Sequence, residues 1–137
     1  MNELKRLKRS LEEGGYTFTI ALNGGDYVSK ERGIKPLLTL LDSGADTRGT
    51  CAADKVVGKA AAFIYLKLGI SGIYALIISK PALDVLRGAG IEVLYDELTD
   101  AIKNRRGDGF CPMESAVKEI SDIDKAIALL RERVALL

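Results

Sequence analysis

The segment GIYALIIS, Gly72 to Ser79, is an unbroken apolar run of strand length. Runs of this kind form interior strands of parallel sheets, because both faces of the strand are covered. Pro81 follows at once and fixes a backbone angle suited to the first turn of a helix. Gly88 ends that helix, and a second strand is predicted from Ile91 to Tyr95. Strand, helix and strand in this order predict a β-α-β unit with parallel strands and a right-handed crossover.

The chain before this unit predicts a helix, a hairpin and two further helices. Asn2 to Glu13 carries leucines on one face and basic side chains on the other, as surface helices do. Alternating apolar residues flank Asn23 to Asp26, whose residues tolerate positive φ, so a β-hairpin is predicted there. Further helices are predicted from Pro36 and from Asp54 to Leu68, with Ala45 to Ala52 as the loop between them.

The chain after the unit predicts a short helical turn at Leu98 to Lys103 and two helices, Pro112 to Ile120 and Ser121 to Leu137. Together these elements predict a three-layer α/β/α sandwich around a mixed sheet. A length of 137 residues with 47% apolar side chains suits one domain over residues 1–137.

The chain contains no histidine, and this excludes several classes of mechanism. Ser-His-Asp triads, Cys-His pairs and H-E-x-x-H zinc sites all need that side chain. Its two cysteines, Cys51 and Cys111, lie far apart and neither belongs to a C-x-x-C pair, so no metal site is predicted. Both are expected to be thiols, and their proximity in space is left open.

Charge and hydropathy limit the classes of partner that the chain is expected to bind. The chain has 20 basic and 19 acidic side chains, so its net charge of +1 provides no field for nucleic acid or an anionic membrane. The N-terminus lacks the apolar run of a signal peptide, and no apolar stretch is long enough to span a bilayer. We therefore expect a cytoplasmic protein that binds neither nucleic acid nor membrane.

The segment RRGDGFCPMES, residues 105–115, holds the first group of candidate site residues. If a helix begins at Pro112, the Cys111 thiol lies at its N-cap, near Arg105 and Arg106. The helix dipole and the arginines then favour the thiolate, which predicts a reactive cysteine in a catalytic role. The alternative is a buried structural cysteine in a glycine-rich connection.

The same segment contains candidate ligand contacts. Gly107 and Gly109 allow the backbone to approach a ligand closely, and Arg105 supplies a positive charge. Asp108 is a further candidate contact, although pairing with an arginine would reduce the local charge. Glu114 is a candidate for ligand binding or proton transfer. The loop before Asp54 and this segment are both expected to reach a pocket at the carboxyl ends of the parallel strands.

The segment RGTCAADKVVGK holds the second group. Asp54, at the predicted start of the buried helix, suits either a capping residue or a proton-transfer group. Lys55 and Lys59 are four positions apart, so on a helix their ammonium groups share a face and can grip an anion. Neither a P-loop nor a dinucleotide fingerprint is present.

The strings CAADKVVGKAAAFIYLKLGI and GDGFCPME, with the β-α-β unit between them, resemble an uncharacterised prokaryotic family catalogued as domain of unknown function 1893. The resemblance implies a cytidine-deaminase-like sandwich. Zinc deaminases carry H/C-x-E at one helix start and P-C-x-x-C at the next. Here Ala52 to Asp54, or Lys55, takes the first place and Ser79 to Ala82 the second, so no zinc ligand set remains. A zinc-independent protein without a cofactor is expected.

Three functions stay open. The first is binding of a small anionic, nucleotide-like molecule through Lys55, Lys59 and Arg105. The second is an enzyme with Cys111 as nucleophile or redox centre and with Asp54, Lys55 or Glu114 transferring protons. The third is an interaction module whose loops are structural.

Overall fold

The computed structural model describes residues 2–102 and 112–136, which form a five-stranded mixed sheet with helices, an α/β sandwich. The predicted site residues Arg105, Gly107, Asp108, Gly109 and Cys111 lie outside the described residues. In chain order the elements are α1 (Asn2–Gly14), β1 (Phe18–Leu22), β2 (Gly25–Ser29), α2 (Lys35–Asp42), β3 (Cys51–Val57), α3 (Lys59–Leu68), β4 (Gly72–Ser79), α4 (Lys80–Gly88), β5 (Glu92–Thr99), α5 (Pro112–Val117) and α6 (Ile123–Ala135).

The sheet has the strand order β2-β1-β3-β4-β5. β1 pairs antiparallel with β2 and with β3, while β3, β4 and β5 run parallel to one another. This confirms the predicted hairpin and the predicted parallel pair of β4 and β5. The three parallel strands bring the starts of α3 and α4 to one edge of the sheet, because each helix follows its strand directly.

Helices cover both faces of the sheet. On one face, Leu7 and Leu11 of α1 pack against Ala53 of β3 and Tyr74 of β4. On the other face, the buried side of α3 joins α4 and α6 in the larger core, which contains Ile73. Burial of one face of α1 confirms the surface-helix prediction, since the apolar stripe of an amphipathic helix turns toward the core.

The helix predicted from Asp54 to Leu68 is wrong in its first part. Cys51–Val57 is instead the strand β3, and the helix α3 begins at Lys59 after the extended residue Gly58. A strand between β1 and β4 satisfies the backbone hydrogen bonds of both neighbours, and this pairing overrides the local preference of an alanine-rich segment. Asp54 and Lys55 therefore lie on a strand and not at a helix N-terminus.

Two connections also differ from the sequence predictions. The helical turn predicted at Leu98 is the end of strand β5, because β5 stays paired with β4 as far as Thr99. The loop before β3 runs past the last turn of α3, where Thr47 Oγ1 donates to the Leu68 carbonyl at 2.6 Å. It thus lies at the amino ends of the parallel strands and does not reach the expected pocket edge.

Candidate functional site

The start of helix α3 is closed by a carboxylate from helix α5. The N–H of Lys59 donates to Glu114 Oε1 at 2.6 Å, and the N–H of Ala60 donates to Oε2 at 2.8 Å. The first N–H groups of a helix have no partner within the helix. The N-cap residue Gly58 has no side chain to serve them. Glu114 therefore caps α3 with both of its oxygens from a distant part of the chain.

Gly58 gives this carboxylate room. A Cβ atom at residue 58 would overlap the carboxylate of Glu114. The backbone of Gly58 is extended, with φ at −97°, so any residue type can adopt its conformation. Glycine is needed here for the close approach of Glu114 and not for its backbone freedom.

The electrostatics of Glu114 combine opposing influences. Burial raises the pKa of Glu114, while the N–H groups of Ala60 and Lys59 and the charge of Lys59 lower it; the net direction is upward. The positive end of the α3 dipole also favours an anion at this position. The start of α3 thus favours a negatively charged group. The Glu114 carboxylate nevertheless loses contact with water when it is buried at this position.

Lys59 is the first residue of α3 and lies beside the cap. Its Nζ donates to the carbonyl of Lys118 at 2.9 Å and lies 5.7 Å from the centroid of the Phe63 ring. Its side chain is half-buried. Lys59 therefore ties the start of α3 to the segment that follows α5 and adds a positive charge near Glu114.

Lys55 does not share this location by helical spacing. It is an exposed residue of β3, and its N–H donates to the Thr17 carbonyl at 3.0 Å. The predicted pairing of Lys55 with Lys59 on one helix face is wrong, because only Lys59 belongs to a helix.

Asp54 is buried in the middle of β3, with 7% of its surface exposed. Its Oδ2 accepts a hydrogen bond from the Tyr65 hydroxyl of α3 at 2.6 Å, and its Oδ1 accepts one from the Val56 N–H at 3.2 Å. Burial raises the pKa of Asp54 from its ordinary 3.8 to about 7, although these hydrogen bonds oppose the rise. Burial and the adjacent Asp54 raise the pKa of Tyr65 as well.

The start of α4, at the same edge of the sheet, is capped locally. Ser79 Oγ accepts from the Ala82 N–H at 3.2 Å, and Pro81 lies in the first turn. A serine before K-P-A-L is a capping pattern that sequence alone reveals. The role of Glu114 has no such signal, because the two residues it caps lie more than fifty positions away.

A crevice of about 260 Å³ lies at the other end of α3. Its charged side chains are exposed, and Lys67 Nζ pairs with Asp124 at 3.0 Å. The residues that line it are Leu41, Gly44, Ala45, Asp46, Thr47, Arg48, Lys67 and Leu68. The crevice is separate from the Glu114 cap because it borders the last turn of the helix.

Two other features are absent from the residues that the structure describes. These residues contain no group of three or more cysteine, aspartate or glutamate side chains arranged to hold a metal ion. Within the same ranges, no helix combines the length and hydropathy required to cross a membrane.

The sequence matches the model of a known protein family. The model of the family described as TM1506, domain of unknown function (DUF1893), matches residues 6–134. A crystal structure of a DUF1893 family protein from Thermotoga maritima, TM1506, is similar at 30% identity with a TM-score of 0.89. The match covers 96% of this chain and 90% of that chain. No curated protein matches.

Proposed function

The chain belongs to the DUF1893 family, and we propose that it is a small-molecule-binding protein whose ligand carries an anionic, nucleotide-like group. The ligand's anion binds at the start of α3 in place of Glu114. The scaffold of this proposal is a cytidine-deaminase-like sandwich that works without zinc.

The observation that carries the proposal is the bidentate contact in which the two carboxylate oxygens of Glu114 accept hydrogen bonds from the N–H groups of Lys59 and Ala60. A phosphate or carboxylate of a ligand presents the same pair of oxygens, and helix N-termini bind both kinds of group. Lys59 adds a positive charge, and Gly58 leaves the space beside the N–H groups clear of a side chain. Glu114 is then an internal anion that a ligand can replace.

Replacement is feasible because Glu114 is not fully stabilised where it lies. Burial raises the pKa of Glu114 despite its two N–H partners. On release, the carboxylate regains water, which offsets part of the energy of the two lost hydrogen bonds. An incoming anion restores those bonds, but its association costs entropy that the tethered Glu114 does not lose, so further contacts of the ligand must supply the net affinity.

The deaminase-like and zinc-free parts of the proposal rest on the residues at the two helix starts. The strand order puts the starts of α3 and α4 side by side at the carboxyl ends of β3 and β4. These two starts are occupied by Gly58 and Lys59 and by the segment Ser79 to Ala82. None of these residues is a cysteine or histidine of the kind that zinc deaminases use as ligands. The likeness of scaffold is an analogy and does not carry a reaction with it.

Anion rescue tests the proposal. Glu114→Ala leaves two N–H groups of α3 without an acceptor, and we expect inorganic phosphate and adenosine monophosphate to raise the melting temperature of this variant more than that of the parent protein. Adenosine, which lacks the phosphate, is the ligand control. Binding to the folded state is read from the concentration dependence of the shift.

The matched variant is Asp122→Ala. Asp122 also caps a helix with its carboxylate, since its Oδ1 accepts from the Lys125 N–H of α6 at 3.1 Å. If phosphate stabilises both variants equally, the effect is general to uncapped helices and the proposal fails. It fails too if phosphate stabilises neither variant beyond the parent.

Five further site residues remain predicted ligand or catalytic contacts, because they lie outside the described residues: Arg105, Gly107, Asp108, Gly109 and Cys111. The same holds for a reaction at Cys111, with Asp54, Lys55 or Glu114 as its proton-transfer group.

A further inference from the structure

Asp54 and Tyr65 form a hydrogen bond that joins the centre of the sheet to helix α3. The bond is buried, and it connects Asp54 Oδ2 to the Tyr65 hydroxyl at 2.6 Å. Tyr65 itself has no exposed surface, and Asp54 is 7% exposed. A carboxyl group in such a place is more stable neutral than ionised unless a cation lies nearby.

The elements packed on β3 place apolar side chains around this carboxyl. The register puts Phe18 of β1 and Ala75 of β4 beside Asp54. On the opposite face of the sheet, α1 turns Leu7 and Leu11 toward Ala53.

The remaining polar contacts are few. Within the described ranges, the groups that act on the pKa of Asp54 are the Tyr65 hydroxyl and the N–H groups of Val56 and Lys55. The charge of Lys55 is on an exposed side chain. Lys59, at the start of α3, directs its Nζ to the Lys118 carbonyl.

We propose that buried Asp54, hydrogen-bonded to Tyr65, is a proton-controlled latch: α3 stays packed on β3 while Asp54 keeps its proton, and separation of the two elements becomes easier as the pH rises because the ionised carboxylate regains water only when it is exposed. The latch itself requires only the contacts of the fold. Its effect on ligand binding rests on the proposed function, because the latch acts through the start of α3.

The direction follows from the two environments of Asp54. When α3 separates from β3, Asp54 meets water and its pKa returns toward the ordinary 3.8, whereas in the closed structure its pKa is about 7. Between these values the open form releases a proton that the closed form retains. Opening therefore becomes easier by up to about tenfold for each pH unit in this interval, and then becomes independent of pH above it.

The consequence for the site is direct. Tyr65 belongs to the same short helix as Lys59 and Ala60, whose N–H groups hold Glu114. Loosening the middle of α3 frees its first turn as well, because a helix of ten residues is not stable without tertiary packing. The Asp54 latch therefore makes opening of the Glu114 site more costly at low pH and less costly as the pH rises toward 7.

Amide hydrogen exchange of the ligand-free protein tests the latch. Protection factors of the α3 amides, corrected for the intrinsic effect of pH, should fall by up to about tenfold per unit as the pH rises toward 7 and then level off. In Asp54→Asn, in which residue 54 cannot ionise, the decline of the same amides should be clearly smaller than in the parent protein, with only the contribution of Glu114 remaining. An equal decline in this variant would overturn the proposal.

Tyr65→Phe separates a latch from a merely structural contact. The Tyr65 hydroxyl lowers the pKa of Asp54, so its removal should shift the levelling-off point to higher pH. A purely structural contact would lower protection by a constant factor and leave that point unchanged, which would also overturn the proposal. Glu114→Gln is the second control, because burial raises the pKa of Glu114 too. It should leave the decline due to Asp54 in place.

These experiments contain no ligand. A flat exchange profile therefore refutes the latch without affecting the proposed function, and absence of phosphate rescue in Glu114→Ala refutes the proposed function without affecting the latch.

Discussion

The carboxylate of Glu114 occupies the space that a side chain on residue 58 would require, so Gly58 and Glu114 are complementary partners across the start of α3. Both oxygens of the carboxylate are in use, since each accepts one N–H of the first turn. The contact joins α5 to α3 through main-chain donors, and Gly58 and Glu114 are therefore expected to behave as one unit under mutation.

Gly58→Ala should destabilise the protein by about 1–2 kcal/mol, because the new methyl group displaces Glu114 and removes the cap. Urea denaturation measures the change. Gly88→Ala is the control: Gly88 is the last residue of helix α4 and has open space around its Cβ position, so this change should be neutral or slightly stabilising. Glu114→Ala combined with Gly58→Ala should add little to either change alone; additive losses would show that the residues are independent.

The pH dependence of global stability should report Asp54. Its pKa is raised in the folded state, so the unfolded chain binds fewer protons between about pH 4 and pH 7, and stability falls across that range as the pH rises. The full effect of a shift from 3.8 to about 7 is about 4 kcal/mol at most. Asp54→Asn should flatten this part of the profile, as measured by urea midpoints. If Asp54→Asn has the same pH profile of stability as the parent protein, the prediction is wrong.

The docking of α1 should depend on its buried leucines. Leu7 is fully buried against Ala53 and Tyr74, and Leu7→Ala should lower the free energy of unfolding by about 2–5 kcal/mol. Leu136→Ala is the matched control, because 78% of Leu136 is exposed, and its effect should stay within about 0.5 kcal/mol. A loss for Leu7→Ala as small as that expected for Leu136→Ala would mean that α1 does not hold the sheet through this face.

Cys111 carries a prediction from sequence alone. If it caps the helix that begins at Pro112, its pKa is lowered and it should react with iodoacetamide faster than a free thiol at neutral pH. Cys51→Ala leaves Cys111 as the single thiol in the chain. A rate no faster than that of a free thiol would indicate a structural cysteine and remove the case for covalent chemistry.

The strong local signals of the sequence predicted most of the sheet and several helices. The apolar run Gly72 to Ser79 is the strand β4, Pro36 lies in the first turn of α2, and helix α4 ends at Gly88. Each of these features depends on residues that are close in the chain. Patterns of this kind survive in the fold because tertiary contacts reinforce them.

The errors lie where distant contacts decide. Cys51–Val57 contains alanines, charges and valines that suit a helix as well as a strand, and its pairing with β1 and β4 decides the outcome. The placement of Asp54 under Tyr65 and of Glu114 beside Gly58 likewise depends on elements that meet only in the folded chain. Sequence reasoning chose Asp54, Lys59 and Glu114 as site candidates but not the contacts that they make.

The Glu114 cap also bears on the order in which the protein is made. A ribosome delivers the chain from the amino end, so all five strands and α3 emerge before Glu114, which follows Lys59 by 55 positions. During this interval the first turn of α3 has two N–H groups that only water can serve. The sheet can assemble early, but the first turn of α3 obtains its capping carboxylate only after α5 has emerged, so the contact between these two helices forms late.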